Sequence, residues 1–149
     1  MSVHGAFLLP RIPPLSPTHG WDVVAARVRE MRAELPPGSF VVGLGKKYFV
    51  ASQLAFHLRA PDDVYGRPVL GQQELQFNFW TRPDEIAGRD AAIVVEAGHE
   101  DPAALARSFH SVESAGELVV PLRGGKPLCF RLFRGCGYIP TPLPPEFPH

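Results

Sequence analysis

From Trp21 to Leu35, apolar residues recur at spacings of three and four. Trp21, Val24, Ala25, Val28, Met31 and Leu35 fall on one side, and Arg27, Arg29, Glu30 and Arg32 on the other. That period predicts an amphipathic surface helix, stopped by Pro36-Pro37-Gly38. Ser39-Phe40-Val41-Val42-Gly43 is a short apolar run between turn residues, which predicts a buried strand. After Gly43-Leu44-Gly45-Lys46-Lys47, helical spacing resumes with Tyr48, Ala51, Leu54, Ala55 and Leu58. Strand, glycine turn and helix in that order make half of a βαβ unit. Asp62-Asp63-Val64-Tyr65 then predicts a second strand, parallel to the first through a right-handed crossover.

Residues 66–76 read as a polar loop, and Leu75-Gln76-Phe77-Asn78-Phe79-Trp80 alternates as an extended strand or sheet edge does. Residues 82–89 read as a loop or short turn. Ala91-Ala92-Ile93-Val94-Val95-Glu96 is the clearest buried strand in the chain. Asp101 and Pro102 suit the N-cap and first position of a helix over 103–109. Further on, the runs 117–123 and 126–134 flank Gly124-Gly125, the pattern of a two-residue hairpin loop. In the second run Leu128, Phe130, Leu132 and Arg134 share one face, and Cys129, Arg131 and Phe133 the other.

Pro10, Pro13, Pro14 and Pro17 forbid a helix in residues 1–20, which read as a linker or a strap on a neighbour, with a tail of no role as the alternative. Five prolines make residues 140–149 an extended tail. Residues 21–139 are left as one α/β domain. Its expected architecture is a mixed, partly parallel sheet with flanking helices and a C-terminal antiparallel β-hairpin.

A length of 149 residues suits one domain, and such a domain buries roughly 70% of its unfolded surface without a staple. Lys+Arg and Asp+Glu are 15 each, so the formal net charge is zero. Nucleic-acid binders that neutralise phosphates carry a basic excess, so no nucleic-acid partner is expected. The longest apolar runs are about five residues, against the roughly 20 of a membrane helix. Phe7-Leu8-Leu9 is too short for the apolar core of a signal peptide, and Pro10 ends it. Cys129 and Cys136 lack C-x-x-C spacing and are too few for a four-thiolate zinc site. They are expected as two thiols, with one disulfide as the alternative in an oxidising compartment.

Gly43-x-Gly45-Lys46-Lys47 before a helix is a candidate anion site, because helix N-termini present unpaired N–H groups and two lysines add charge. It is not a P-loop, which needs four residues between its glycines. The structural alternative is a tight turn that requires glycine. No histidine pair has metal-ligand spacing, no serine sits in a nucleophile elbow, and Asp62-Asp63 reads as turn solvation. No metal, cofactor or catalytic residue is assigned. Gln76, Asn78, Trp80 and Arg89 could hold a hydroxyl-rich ligand, with the indole against a sugar face. The alternative is an edge strand packing its aromatics inward.

Three blocks, Tyr48-Phe49-Val50-Ala51-Ser52-Gln53-Leu54-Ala55-Phe56-His57-Leu58, Val64-Tyr65 and Gln76-Phe77-Asn78-Phe79-Trp80, together resemble one family. It is the soluble C-terminal region of bacterial glycosyltransferase family 39 membrane proteins, relatives of the dolichyl-phosphate-mannose protein mannosyltransferases. Gly88-Arg89-Asp90-Ala91, Leu132-Phe133-Arg134-Gly135-Cys136-Gly137-Tyr138 and the Gly20-Trp21 helix start are similar too. The resemblance runs over residues 20–138. His57 stands where that pattern usually has Tyr, Asn78 where it has Asp, and Lys46-Lys47 where it has Asp-Arg.

The resemblance implies a water-exposed α/β module on the extracytoplasmic, periplasmic face of a membrane. The family's active site lies in its multi-helix membrane portion, so no catalytic residue carries over to this chain. The implied partner is a membrane-embedded catalytic portion of the same polypeptide, using polyprenyl-phosphate-linked sugars, with residues 1–20 as the exit linker. The module would help bind an acceptor glycan or lipid-linked sugar, or gate the site. Lys46, Lys47, Tyr48, Ser52, Gln76, Asn78, Trp80 and Arg89 are the candidate ligand contacts. Two other readings stand beside it: an independent α/β protein binding a nucleotide or phosphate at Gly43–Lys47, and an interaction module using the proline-rich ends.

Overall fold

The computed structural model describes residues 14–46, 49–60, 63–70 and 85–140, and among the described residues nine elements follow one another. Helix α1 spans Pro17–Ala33, strand β1 Phe40–Leu44, helix α2 Phe49–Leu58 and strand β2 Val64–Tyr65. A 3-10 turn covers Arg67–Leu70. Strand β3 spans Ala91–Glu96, helix α3 Pro102–Ser108, strand β4 Phe109–Val120 and strand β5 Leu128–Tyr138. The five strands form one mixed sheet in the order β2-β1-β3-β5-β4. Strands β2, β1 and β3 run parallel, and β5 is antiparallel to both β3 and β4. The expected α/β architecture is thus present.

Two apolar layers sandwich the sheet. On one face Trp21, Val24, Val28 and Met31 of α1 and Val50, Ala51 and Leu54 of α2 pack on Val41, Val94, Phe130 and Leu132. On the other face Ala104 and Leu105 of α3, Val69 and Leu70 of the 3-10 turn and Ile86 cover Phe40, Val42, Ile93 and Val95. Strands β1 and β3 are buried on both sides, which explains their uninterrupted apolar runs. Leu128, Phe130 and Leu132 share the first face as their alternation requires. Strict alternation would put Tyr138 there too, yet it packs in the second layer. The change of side falls at Gly137, whose φ of 70° leaves the extended region.

Several boundaries differ from the sequence expectation. Pro17 does not exclude the helix but begins it: Ser16 is the N-cap, its hydroxyl accepting from the His19 N–H at 3.3 Å. A proline at N1 loses no intrahelical hydrogen bond. Leu15, in the described part of the N-terminal segment, bridges Leu122 in parallel.

The expected two-residue hairpin is also corrected. Its strands end at Val120 and resume at Leu128, so residues 121–127 form the connection. Leu15 pairs there with the Pro121 carbonyl and the Arg123 N–H, which holds the chain open beyond a tight turn. Strand β4 instead extends back to Phe109 through a polar stretch, with a register shift between Ser114 and Gly116. As the outer strand it needs no apolar alternation there, and its bulge and charges blunt the edge. Cys129 and Cys136 are free thiols. Seven residues apart on β5, they stand roughly 24 Å apart at the rise of a strand, far beyond disulfide reach.

Candidate functional site

Neighbouring parallel strands β1 and β3 send their following helices to opposite faces of the sheet: α2 packs in the first layer and α3 in the second. That makes a topological switch point, where open α/β sheets form a crevice beyond the carboxyl ends of their strands. Turn residues Gly45 and Lys46 follow β1 at this place, and Ala97–Glu100 follow β3.

The segments beyond these strand ends carry charged side chains. Glu96, the last residue of β3, accepts from the Lys46 N–H at 3.0 Å and lies 3.8 Å from His99 Nε2. Arg67 donates to the Gly45 carbonyl at 3.0 Å. Arg131, on the antiparallel neighbour β5, pairs with Glu100 at 2.9 Å and with Glu117 at 3.6 Å. Glu100 also accepts from the Gly98 N–H at 3.0 Å.

Glu100 is held below the usual carboxylate range. Its own backbone N–H contributes most, the Gly98 N–H and the Arg131 and His99 charges add to the effect, and desolvation opposes it. A carboxyl whose folded pKa is depressed stabilises the fold above its unfolded value and loses that contribution as the pH falls through the folded one. Glu100→Gln should therefore differ most from wild type near neutral pH. The gap should close as acid protonates the carboxyl. Urea melts across the acid range measure this, and a gap that widened toward acid would contradict the assignment.

The Gly43–Lys47 turn is explained by close packing. A Cβ on Gly45 would stand 2.5 Å from Val50 Cγ2 and 2.6 Å from Glu96 Oε1. One on Gly43 would stand 2.9 Å from the Ala51 backbone. The Lys46 amide, which an incoming phosphate would use, already has a carboxylate from within the chain. The structural reading of the glycines thus has direct support, and the turn presents a negative group where an anion would sit. Inorganic phosphate and nucleotides are expected to leave the thermal midpoint unmoved, and Lys46→Ala should not change that. A nucleotide-induced rise abolished by Lys46→Ala would contradict it.

The sequence-derived candidates do not converge. Lys46 is exposed at the switch point, and Ser52 is half-buried in the first half of α2. Arg89 precedes β3 and so lies at the opposite edge of the sheet, with its carbonyl accepting from the Tyr138 N–H at 2.9 Å. The length of β3 separates the two edges by roughly 20 Å. Lys47, Tyr48, Gln76, Asn78 and Trp80 lie outside the described residues. Sequence reasoning passed over Glu96, Glu100 and Arg131. The signal that could have found them is position, since the residues just after the strongest strand of an α/β sheet line its crevice. His57 is likewise structural in setting: its nearly buried ring meets Asp22 at 2.9 Å, and its carbonyl accepts from Arg29, tying α2 to α1.

Among the described residues, no group of three or more His, Cys, Asp or Glu could hold a metal ion. Comparison with protein-family models, curated proteins and solved structures returns no match to this chain.

Proposed function

We propose that this chain is a noncatalytic, extracytoplasmic accessory module of a membrane glycosyltransferase that uses polyprenyl-phosphate-linked sugars. The carrying observation is the ordered set of blocks resembling the C-terminal region of family 39 glycosyltransferases, taken with where those blocks lie. The first occupies α2 from Phe49 onward and the second is β2. Gly88–Ala91 leads into β3, and Leu132–Tyr138 completes β5. Strands β2, β3 and β5 belong to one sheet, and α2 packs on its face, which supports treating the blocks as one unit. Among the described residues no helix is long and apolar enough to cross a membrane, so the membrane portion would be a separate part of the same polypeptide. The switch point beyond β1 and β3 is the natural place for an acceptor glycan or a sugar headgroup.

The test is a transfer assay on the isolated chain with polyprenyl-phosphate sugars and glycan acceptors. The reading predicts no turnover, and turnover by these 149 residues overturns it.

A further inference from the structure

Helix α2 carries no Lys, Arg, Asp or Glu, and seven of its ten residues are apolar. A helix of that kind is ordinarily buried all round. Here Val50, Ala51 and Leu54 are buried against the sheet, while Phe49 is 50% and Phe56 74% exposed. Seven residues apart, the two rings stand on the same side of the helix, roughly 10 Å apart along its axis. Ser52 lies between them; the Phe49 ring rests one edge on Trp21 at 5.9 Å and leaves half its surface outward, while Phe56 projects mostly into water. Exposed Lys46 precedes the helix and exposed Arg59 follows it. Exposed Arg29 adjoins its end through the His57 carbonyl. The acids nearby are engaged: Asp22 with His57, Asp63 with Arg32, and Glu96 with the Lys46 N–H.

Aromatic rings on an uncharged helical face, with cations at both ends, have the chemistry of a surface that rests on a bilayer. The rings enter the acyl boundary and the cations meet phosphate headgroups. We propose that the outer face of α2 is a contact surface for a bilayer bearing anionic headgroups. This deepens the accessory reading above and rests on it: the face sets how the module sits against the membrane that holds its catalytic partner.

The test is co-sedimentation of the 149-residue chain with vesicles of equimolar phosphatidylcholine and phosphatidylglycerol, and with phosphatidylcholine alone. Binding to the anionic vesicles should exceed binding to the neutral ones and weaken with salt. Phe56→Ser should weaken it roughly tenfold, as loss of one inserted ring implies. Adding Phe49→Ser should weaken it further. Lys46→Glu should cost at least about fivefold. Arg107→Glu, on α3 across the sheet, should leave it unchanged, and thermal melts confirm that each variant folds.

Failure to bind anionic vesicles overturns the proposal. So does binding that Phe56→Ser leaves intact, or that Arg107→Glu weakens equally. A dimer in solution dissolved by Phe56→Ser, without vesicle binding, assigns the face to a second copy and also overturns it. Turnover in the transfer assay would remove the accessory reading while leaving vesicle binding as it stands, so the two failures are distinguishable.

Discussion

Trp21→Ala should destabilise the fold by about 3–5 kcal/mol, the range for removing a large aromatic from a packed core. Trp21 is 4% exposed and is the point where three elements meet. Its ring lies 5.3 Å from that of Phe130 on β5 and 5.9 Å from that of Phe49 on α2. Alanine leaves a void that neither helix can close without leaving the sheet. A domain of this size loses roughly 3 °C of midpoint per kcal/mol, so the thermal transition should drop by about 10 °C or more. Phe56→Ser is the internal contrast. It removes a ring that is mostly in water, and it should shift the midpoint little. If the two variants melted together, the apolar layer described for α1 and α2 would be wrong.

Gly43→Ala should cost about 3 kcal/mol, although it adds one methyl group. The new Cβ would lie 2.9 Å from both Cα and N of Ala51 and 3.2 Å from Leu54 Cδ1. A flexible side chain could turn aside, but the Ala51 atoms are backbone, so the helix itself must move off β1. Overpacking of this kind costs about 1–3 kcal/mol, with backbone contacts toward the upper end. Gly125→Ala supplies the comparison, because no atom stands near a Cβ at that position. It should be neutral or slightly stabilising through the unfolded chain. Denaturant melts of the two variants give the difference directly. Equal midpoints would mean that α2 does not approach β1 as closely as described.

Much of the fold was legible because its signals were local. The 91–96 run became β3 with the predicted bounds, since a strand buried on both faces must be apolar throughout. The Asp101-Pro102 pair capped α3, with the Asp101 side chain accepting from the Ala104 N–H at 3.2 Å. The face assignment along 128–132 held for the same reason, since alternation is dictated by the pleat. What escaped depended on tertiary partners. The polar half of β4 has no strand pattern of its own and is a strand because β5 pairs with it. The hairpin around Gly124-Gly125 is present, but its connection is longer than two residues, and Leu15, more than a hundred residues away, pairs within it. At the candidate site, Lys46 was identified from its glycine turn, but its nearest functional group was not. Glu96 approaches from a strand fifty positions along the chain, and only the parallel pairing of β1 with β3 brings it there.

On the accessory reading, this domain belongs to a larger, membrane-embedded polypeptide. Fractionation of source cells, probed with an antibody raised against the 149-residue chain, tests it most directly. The expected signal lies in the membrane fraction, resists alkaline extraction and migrates at a mass far above 16.3 kDa. A free 16.3 kDa species confined to the cytosol would contradict it.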